Sequence, residues 1–368
     1  MSDPQAAASL VTELVGDQAG AWDRTGRLPV ELLRELGAKG MLCPEVRPEH
    51  GGLGLSAEQS GPFIAHVGSL CGSLRSVLTS HGMAAWTIRR YGNREQRSAY
   101  LSRLTAGSLA GAAFSEPAAG SDLAAMTTSI HLDGDDVLVD GHKVWVTVGD
   151  YADLLVVFGR FADGAAAVVV PTDAEGVRVE RVPDPLGCRA AGHANVTLDK
   201  VRLPADCLLG GAGQPLGMLV TSALTYGRLS VAWGCVGMLR ACLSETAKHA
   251  KTRKQFGRPL AEHQLVARHL AELLVAEQAA THTCAHASRC WDTANPEMIT
   301  AAVTAKHFAA TQAARGAAAA VQVLGSAGAG DGHPVARAYR DAKLMEIIEG
   351  SSELSQLVLS EHALAVWS

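Results

Sequence analysis

The sequence predicts an α+β fold that is mostly helical, and three observations support this prediction. Residues 1–108 place apolar side chains at helical spacing, residues 109–213 contain short β-branched runs between turn residues, and residues 214–368 return to long helical patterns. Strands that follow one another without intervening helices favour an antiparallel sandwich or barrel over β–α–β units. We therefore expect an N-terminal helical domain, a central antiparallel β-barrel or sandwich domain and a C-terminal four-helix bundle.

The first segment predicts a series of helices. Apolar residues suggest a helix that includes Leu14, and Pro29 opens a second one. The glycine- and proline-rich stretch 43–55 indicates a loop, after which Ser56 can cap the next helix. Two further helices follow, and we expect the last of them to end at Gly107.

The second segment predicts strands. Four β-branched runs mark them, at 137–139, 144–148, 154–158 and 167–170. Aspartate–glycine pairs lie between these runs and are typical of tight turns. In particular, Asp140 and Gly141 are expected to separate the first two strands.

The third segment predicts an antiparallel bundle of long helices. One helix covers roughly residues 217–253, and a second covers about 262–291. A third, rich in alanine, begins with Asn295 as its cap and Pro296 at the first helical position. Two short helices around Glu349 complete the chain, and long helices with short links favour a bundle.

The composition is that of an ordinary globular protein and excludes several classes. The 368 residues are 48% hydrophobic and carry a net charge of −5, so no basic excess favours a nucleic-acid partner. We expect no signal peptide and no membrane span, because the start of the chain has no cationic or apolar region and no run approaches ~20 apolar residues. The eight cysteines form no CxxC pair, which indicates reduced thiols and a cytoplasmic location.

Common nucleotide and metal motifs are missing. No P-loop is present, and neither glycine cluster, at 211–213 or 328–330, completes the GxGxxG pattern. A nucleotide cofactor would therefore be bound without a Rossmann unit or a P-loop. His282, Cys284 and His286 lie close in sequence, but the cysteine points away from the helix face that the two histidines share, so we predict no metal site.

Glu349 lies at a predicted junction between two helices. An apolar pair precedes it, and Gly350 breaks the first helix. Ser351 or Ser352 can cap the second helix, with Glu353 in its first turn. A carboxylate held against apolar surroundings is a better proton acceptor than a solvated one. A solvated glutamate beside a turn would give the same pattern, and this stretch alone does not decide between the two.

Five motifs occur in a recognisable order. They are FSEPAAGSD at 114–122, GHKVWVTVG at 141–149, RKQFG at 253–257 followed by Gln264, QVLGSAG at 322–328, and EGSSE at 349–353. In this order and at these spacings they resemble the motifs of the acyl-CoA dehydrogenase family, from about residue 30 onward. The resemblance implies a helical domain, a β-domain and a four-helix domain, which is the order predicted above.

The resemblance implies FAD as the cofactor, and the removal of a proton and a hydride from neighbouring carbons of an acyl thioester. The family's base matches Glu349. In some relatives the base lies instead on the first C-terminal helix, just before an arginine, but here Gly227 precedes Arg228 and that alternative is absent. The backbone N–H beside the base, at Gly350, would polarise the thioester carbonyl together with a flavin ribityl hydroxyl.

The resemblance also implies which residues meet the flavin ring. Phe114 and Ser115 match positions that contact the flavin pyrimidine. Trp145 matches the aromatic residue beside the isoalloxazine, and Thr147 the hydroxyl near flavin N5. A place in the barrel core is the alternative for Trp145, which Thr147 argues against because it lies two residues on, on the same strand face.

The resemblance further implies that some residues of one subunit contact the FAD bound to a neighbouring subunit. Arg253 matches an arginine that pairs with the FAD diphosphate of a neighbouring subunit, although it could be a helix-end residue favoured by the helix dipole. Gln322 and Gly325 match a loop that also reaches the neighbour's FAD. The remaining cofactor residues implied by the motifs are Phe256, Gln264, Ser351 and Glu353. Shared sites imply a homodimer or a homotetramer.

Departures from the family pattern bear on the substrate. Thr225 stands where many members place an acidic residue near the pantetheine arm, which disfavours CoA as the carrier. Ser121, Arg228 and Gly350 complete the candidate substrate contacts, and a structural ion pair is the alternative role for Arg228. Together with the chain length and alanine content, these features resemble family members from polyketide clusters. Those act on short acyl groups on an acyl carrier protein and make hydroxymalonyl or methoxymalonyl extender units.

Three other functions remain compatible with the sequence. The chain could be a short-chain acyl-CoA dehydrogenase of general metabolism. It could also be an oxidase or monooxygenase that uses O₂, rather than an electron-transfer flavoprotein, as the electron acceptor. A helical interaction protein without a cofactor is the third, and the presence of Glu349, Arg253 and Trp145 argues against it.

Overall fold

In the computed structural model, which describes residues 4–367, the chain forms helical, β and helical segments in the predicted order, and the predicted fold class is confirmed. The first segment contains α1 (Pro4–Val15), α2 (Ala19–Thr25), α3 (Val30–Ala38), α4 (Ala57–Leu70), α5 (Gly72–Tyr91) and α6 (Arg94–Thr105). The start of the chain, on which the signal-peptide prediction depends, falls partly outside the described residues.

Two helix starts in this segment are fixed by reciprocal capping. Ser56 Oγ accepts a hydrogen bond from Gln59 N, and the Gln59 side chain accepts one from Ser56 N, so Ser56 caps α4 as predicted. Asn93 and Gln96 make the same pair of bonds at the start of α6. α5 lies between these two helices in sequence and is buried along nearly its whole length.

The central segment is an eight-stranded sheet. Its strands are β1 (Ala110–Ala113), β2 (Ser129–Asp133), β3 (Asp136–Val146), β4 (Leu154–Phe161), β5 (Gly164–Pro171), β6 (Val177–Arg181), β7 (Ala194–Pro204) and β8 (Leu208–Gln214). The order is β6-β7-β3-β2-β4-β5-β8, with β1 paired to β4. Most neighbours are antiparallel, as predicted, whereas β1 and one residue pair of β2 meet β4 in parallel. The sequence pattern missed β1 because its alanines and glycine carry no β-branched signal.

The expected turn at Asp140 and Gly141 is wrong. Both residues lie inside β3, and the pairing of β3 with β7 shifts register between Val139 and Gly141. A Cβ at Gly141 would lie 2.4 Å from the Thr128 hydroxyl oxygen, so the glycine permits a close approach within a bulge. The first two predicted runs therefore belong to one strand, which ends at Val146.

The final segment consists of long helices and a small hairpin. Its elements are α7 (Leu216–Thr252), β9 (Lys254–Gln255), β10 (Arg258–Pro259), α8 (Gln264–Asp292), α9 (Met298–Leu324), α10 (Pro334–Met345) and α11 (Ser352–Trp367). The predicted start of α9 is wrong: the helix begins at Met298 with Glu297 at its N-cap, and Pro296 precedes it. Asn295 instead accepts a hydrogen bond from Glu297 N in the turn before the helix. α10 ends at Met345 and leaves residues 346–351 as its link to α11.

The three segments meet around α5 and the first half of α7. One buried cluster joins Ala84 and Ile88 of α5 to Ala119 of the loop before β2 and to Leu219 of α7. Side chains between these elements therefore lie at the boundary of all three segments. The candidate site occupies this boundary.

Three observations concern the chain as a whole. None of the helices between residues 4 and 367 has the length and hydropathy to cross a membrane. In the same range, no three His, Cys, Asp or Glu side chains are placed to hold a metal ion. All eight cysteines are buried and unpaired, as expected for reduced thiols.

Candidate active site

Glu349 lies on strained backbone in the link between α10 and α11. Its φ is 55°, a left-handed value that non-glycine residues rarely adopt, and Gly350 follows at 93°. Arg228 Nε of α7 donates to the Glu349 carbonyl at 3.0 Å. Lys306 Nζ of α9 donates to the Gly350 carbonyl at 2.6 Å. Contacts from two other helices therefore fix the conformation of this junction.

The carboxyl group of Glu349 faces α7. A Cβ placed on Gly227 would lie 2.6 Å from Glu349 Oε2, so the carboxyl group rests against that glycine. The residue as a whole is partly exposed, but Oε2 is buried and has no hydrogen-bond partner among the described residues. Any larger side chain at position 227 would displace the carboxyl group.

The surroundings of Glu349 alter its proton affinity. Burial raises the pKa of its carboxyl group to about 7, and the positive charges of Arg228, Lys306 and Arg75 oppose this shift. At neutral pH the group therefore exchanges between its two forms, which suits a proton acceptor. A solvated glutamate beside a turn does not describe this environment.

The sequence analysis did not single out two buried cations near the junction. Lys306 is fully buried, and burial lowers the pKa of its amine to about 8. Arg75 of α5 is also fully buried and donates to the hydroxyls of Thr79 and Ser76 at 3.1 and 2.9 Å. A single lysine in an alanine-rich helix is usually interpreted as a surface residue, so the pattern gave no signal. Both cations act on Glu349 only because the fold brings three helices together.

Trp145 and Thr147 lie at the end of β3, where the strand becomes irregular. Trp145 has a φ of 57° and a side chain that remains half exposed. Its ring centroid lies 5.7 Å from that of His193, and Thr147 Oγ1 lies 3.2 Å from His193 Nδ1. Both side chains therefore border the same histidine, although regular strand alternation is not the reason. Burial lowers the pKa of His193 to about 4, so this residue, which the sequence analysis missed, is neutral at physiological pH.

α5 connects the end of β3 to the Glu349 junction. Ser80 Oγ donates to the Thr147 carbonyl at 3.0 Å. Met83 Sδ lies 2.8 Å from the position that a Cβ on Gly227 would take. Because one helical turn rises about 5.4 Å, the strand end and Gly227, against which the base rests, adjoin α5 within about one turn of each other. The structure thus brings the predicted flavin contacts and Glu349 to neighbouring positions.

A buried ion pair supports the stretch that contains Phe114 and Ser115. Lys143 Nζ donates to the Phe114 carbonyl at 3.1 Å and to Glu116 Oε1 at 2.8 Å. The Phe114 ring stacks on Phe158 with centroids 4.0 Å apart, and the Ser115 carbonyl accepts a bond from a backbone N–H of β3 at 2.9 Å. Burial would raise the pKa of Glu116, but hydrogen bonds from Lys143 and its other donors hold it at about 2.

The other candidate residues near the junction differ in their exposure and in their hydrogen bonds. Ser121 is exposed on the loop before β2. Thr225 is buried, and its hydroxyl donates to the Thr221 carbonyl at 2.7 Å, so its proton is already used within α7. Ser351 Oγ accepts a backbone N–H in the first turn of α11 at 3.3 Å, and Glu353 is exposed in that turn.

The remaining cofactor candidates lie at the opposite end of the long helices. They are exposed and comprise Arg253, Phe256, Gln264, Gln322 and Gly325. Residues 227 and 253 are 26 positions apart on α7 and its C-cap, which corresponds to roughly 39 Å along the helix. The Phe256 side chain is 94% exposed at the tip of the β9–β10 turn. Within one chain, the structure does not bring this group to Glu349.

The residues near Glu349 fit the FAD that the resemblance implies. The exposed indole of Trp145 offers a flat face to a planar ring. The Thr147 hydroxyl borders the same histidine as the indole, and α5 adjoins both the Thr147 carbonyl and Gly227, against which the Glu349 carboxyl group rests. Two groups from the β-domain and one from the helical segment would therefore surround a flavin ring bound here.

A cavity of about 750 Å³ lies elsewhere, between the α1–α2 link, α4 and α7. Arg24, Arg240 and Arg337 line it, and it contains none of the candidate residues. We place the candidate site at Glu349 instead, because the strained backbone and the buried carboxyl group lie there.

Comparison with known proteins links the chain to one family. Three family models match it: the acyl-CoA dehydrogenase N-terminal domain at residues 4–108, the middle domain at 111–201 and the C-terminal domain at 217–364. The probable acyl-CoA dehydrogenase YngJ of Bacillus subtilis (strain 168) is 33% identical over 350 residues, which cover 93% of this chain and 92% of that protein.

Two solved structures extend the comparison. FkbI, described as serving the biosynthesis of the methoxymalonyl extender unit of the polyketide FK520, is 60% identical with a TM-score of 0.94, over 98% of this chain and 99% of that chain. A glutaryl-CoA dehydrogenase from Mycobacterium smegmatis in complex with FADH2 is 27% identical with a TM-score of 0.91, over 99% and 95% of the two chains.

Proposed function

Because the chain belongs to the acyl-CoA dehydrogenase family, we propose that it oxidises a short, polar acyl group on the phosphopantetheine arm of an acyl carrier protein. The enzyme is an FAD-dependent acyl-thioester dehydrogenase. The observation that carries our mechanism is the buried carboxyl group of Glu349, held at a strained junction with its pKa near neutrality.

In the proposed reaction Glu349 is the base. Its Oε2 accepts a proton from the carbon beside the thioester carbonyl, and FAD, when bound, supplies the acceptor for the hydride. The carboxyl group is ready for this role because it faces α7 without a hydrogen-bond partner among the described residues. Gly227 leaves the space that the carboxyl group occupies.

Arg228 and Lys306 position the base. They hold the carbonyls of Glu349 and Gly350, and so fix the direction of the backbone N–H groups that a thioester carbonyl would meet. Arg228 uses its Nε for this contact, which supports a structural role beside the proposed contact with a polar acyl group. The carboxyl group and the N–H donors are then both set before substrate arrives.

The substrate proposal rests on one relative and on one residue of the chain. FkbI, at 60% identity, is described as an enzyme of methoxymalonyl extender-unit biosynthesis. Thr225 replaces the acidic residue that many family members place near the pantetheine arm, and its hydroxyl is already bonded within α7. We propose a three-carbon acyl group that bears an oxygen at its α-carbon, on the way to a hydroxymalonyl or methoxymalonyl unit. Ser121, Arg228 and Gly350 are the candidate contacts.

We also propose a homodimer or homotetramer in which a second subunit completes each FAD site. Arg253 and its exposed neighbours are roughly 39 Å from Gly227 along α7, which is too far to serve the same chain's flavin ring and diphosphate together. Phe256, Gln264, Gln322 and Gly325 are exposed with Arg253 at one end of the bundle. Their exposure in the single chain suits contacts with a neighbour's cofactor.

The electron acceptor and the compartment complete the proposal. An electron-transfer flavoprotein or O₂ would reoxidise the flavin. We propose a cytoplasmic location, supported by the eight buried and unpaired cysteines.

A short-chain acyl-CoA dehydrogenase of general metabolism is the second candidate. The Clostridium acetobutylicum short-chain enzyme is 31% identical over 92% of this chain, which favours this reading. The two candidates share the same base and differ in the carrier and the acyl group.

An anaerobic flavin-bleaching experiment separates the two candidates. The holoenzyme is mixed in separate reactions with a glyceryl-derived acyl carrier protein, with butyryl-CoA and with octanoyl-CoA, and the flavin absorbance is followed in each. We expect rapid bleaching by the carrier-bound acyl group, because a short polar pocket rejects a long chain by steric exclusion and leaves polar groups unpaired. Rapid bleaching by butyryl-CoA but not by the carrier-bound group would favour the second candidate. Rapid bleaching by octanoyl-CoA alone would return the protein to ordinary fatty-acid oxidation.

A further inference from the structure

The end of α5 and the whole of α6 carry a concentration of positive charge. Between positions 89 and 103 the chain has five arginines and one acidic residue, although its net charge is −5. We call these residues the arginine surface: Arg89, Arg90, Arg94, Arg97 and Arg103. All except Arg89 are exposed, and within residues 4–367 none of the five forms a salt bridge, although Arg89 and Arg103 lie near Glu45 and Asp153. The charges of Arg90, Arg94 and Arg97 are therefore available to a partner.

The arginine surface adjoins the start of α7. Trp86 Nε1 donates to the Ser222 hydroxyl at 3.1 Å, and the Arg89 guanidinium lies 5.4 Å from the centroid of the Trp86 ring. Tyr91 Oη donates to the Met218 carbonyl at 3.3 Å, and the Met218 side chain is 58% exposed. The surface thus meets solvent where α7 begins.

α7 leads from this point to the base. Gly227, which contacts the Glu349 carboxyl group, lies nine residues after Met218, or about 14 Å along the helix. That distance is within the reach of an extended phosphopantetheine arm. A thioester held at Glu349, with its arm along α7, would place the arm's phosphate beside Met218, next to Tyr91 and its exposed neighbour Arg90.

We propose that the arginine surface docks the acyl carrier protein itself, through the acidic surface that surrounds its phosphopantetheine-bearing serine. This inference rests on the proposed function, and it names the surface that would select a carrier protein over a free thioester. Opposite charges steer such an encounter and fix its register more than they add affinity. A neutral pantetheine thioester would reach Glu349 without the arginines.

The test uses a double charge reversal, Arg90→Glu with Arg94→Glu, in the holoenzyme. The matched control is Arg178→Glu with Lys200→Glu, two exposed cations on β6 and β7 that make the same change in net charge. Steady-state rates are measured with the same acyl group on a carrier protein, on CoA and on pantetheine. Binding of the unacylated holo-carrier protein is measured separately by fluorescence anisotropy.

The arginine variant should raise KM for the carrier-bound substrate about tenfold or more, with kcat and the pantetheine rates unchanged, and should weaken carrier binding similarly. The control should match the wild type in every assay. Equal binding of the holo-carrier protein by wild type and arginine variant would overturn the docking proposal. An equal rise in KM for the CoA-bound substrate would also overturn it. That result would show that the arginines contact only the phosphate of the arm and not the carrier protein. Oxidation of CoA thioesters alone by the wild type would instead contradict the proposed substrate.

Discussion

The Glu349 junction and the far end of the long helices are built in opposite ways. At the junction a buried carboxyl group, two buried cations and a glycine come from α5, α7, α9 and the α10–α11 link of one chain. At the far end Arg253 and Phe256 are exposed and make few contacts that would explain their residue types. On our proposal, one chain assembles the chemistry by itself, whereas two chains hold the cofactor jointly.

Removal of the carboxylate should have the largest effect. Glu349→Gln keeps the shape of the junction but removes the proton acceptor, so turnover should fall about 100- to 10,000-fold. FAD content and oligomeric state should stay at wild-type levels, as measured by absorbance and light scattering. Near-normal turnover in this variant would falsify the assignment of the base.

A change at the far end should affect the cofactor and not the chemistry. Arg253→Ala should weaken FAD binding about 10- to 100-fold, because a charged hydrogen-bonding group is lost. The variant should also dissociate more easily once flavin is lost, since bound ligand stabilises the assembly. Lys251→Ala, at another exposed cation of the same helix end, is the matched control and should retain its flavin. A flavin-loaded monomer of the wild-type or variant protein would contradict the proposal that two chains share each FAD site.

A change at a supporting cation should have an intermediate effect. Lys306→Met removes the donor to the Gly350 carbonyl and should lower kcat about tenfold while FAD remains bound. The Lys306 charge also holds down the pKa of Glu349, so its loss should move the acidic limb of the kcat/KM profile to higher pH. An unchanged pH profile would show that the lysine supports the fold alone, and Lys306→Arg should restore part of the shift.

The smallest effect concerns stability against pH. The folded pKa of Glu349, about 7, lies above its ordinary value of 4.5, so the fold favours the protonated form. This contribution is present below pH 4.5 and is lost as the pH rises through 7. Glu349→Gln should therefore match wild-type stability at low pH and exceed it by roughly 1–3 kcal/mol at pH 8. Denaturant titrations at low pH and at pH 8 measure the free energy of unfolding of the variant and the wild type. A difference between the two proteins that is the same at both pH values would contradict this prediction.

The sequence predicted what local patterns encode. The cap at Ser56 follows from residue types that act within a few positions, whereas α10 ends at Met345, before the break that was predicted at Gly350. The expected turn at Gly141 failed because a bulge against Thr128 uses the same residue type as a turn. The φ of 57° at Trp145 was not predictable either, since only the surrounding structure imposes it.

Long-range features of the site lay beyond the sequence patterns. Lys306 and Arg75 look like ordinary surface cations until the fold buries them beside Glu349. His193 enters the site because β7 begins beside the end of β3. The motifs located Glu349 and Arg253, but their separation along α7 became visible only with the helix itself.

One measurement tests most directly whether one chain's carboxylate works with another chain's arginine. Glu349→Gln and Arg253→Ala chains, each with a different affinity tag, are co-expressed, and the mixed oligomers are isolated through both tags. If the sites are shared, one site of each mixed pair has an intact Glu349 and receives an intact Arg253 from its neighbour. Activity should then recover to about a quarter to a half of wild type, with matching flavin content. Mixed oligomers no more active than their two parents would show that both residues must lie in the same chain, which contradicts this account.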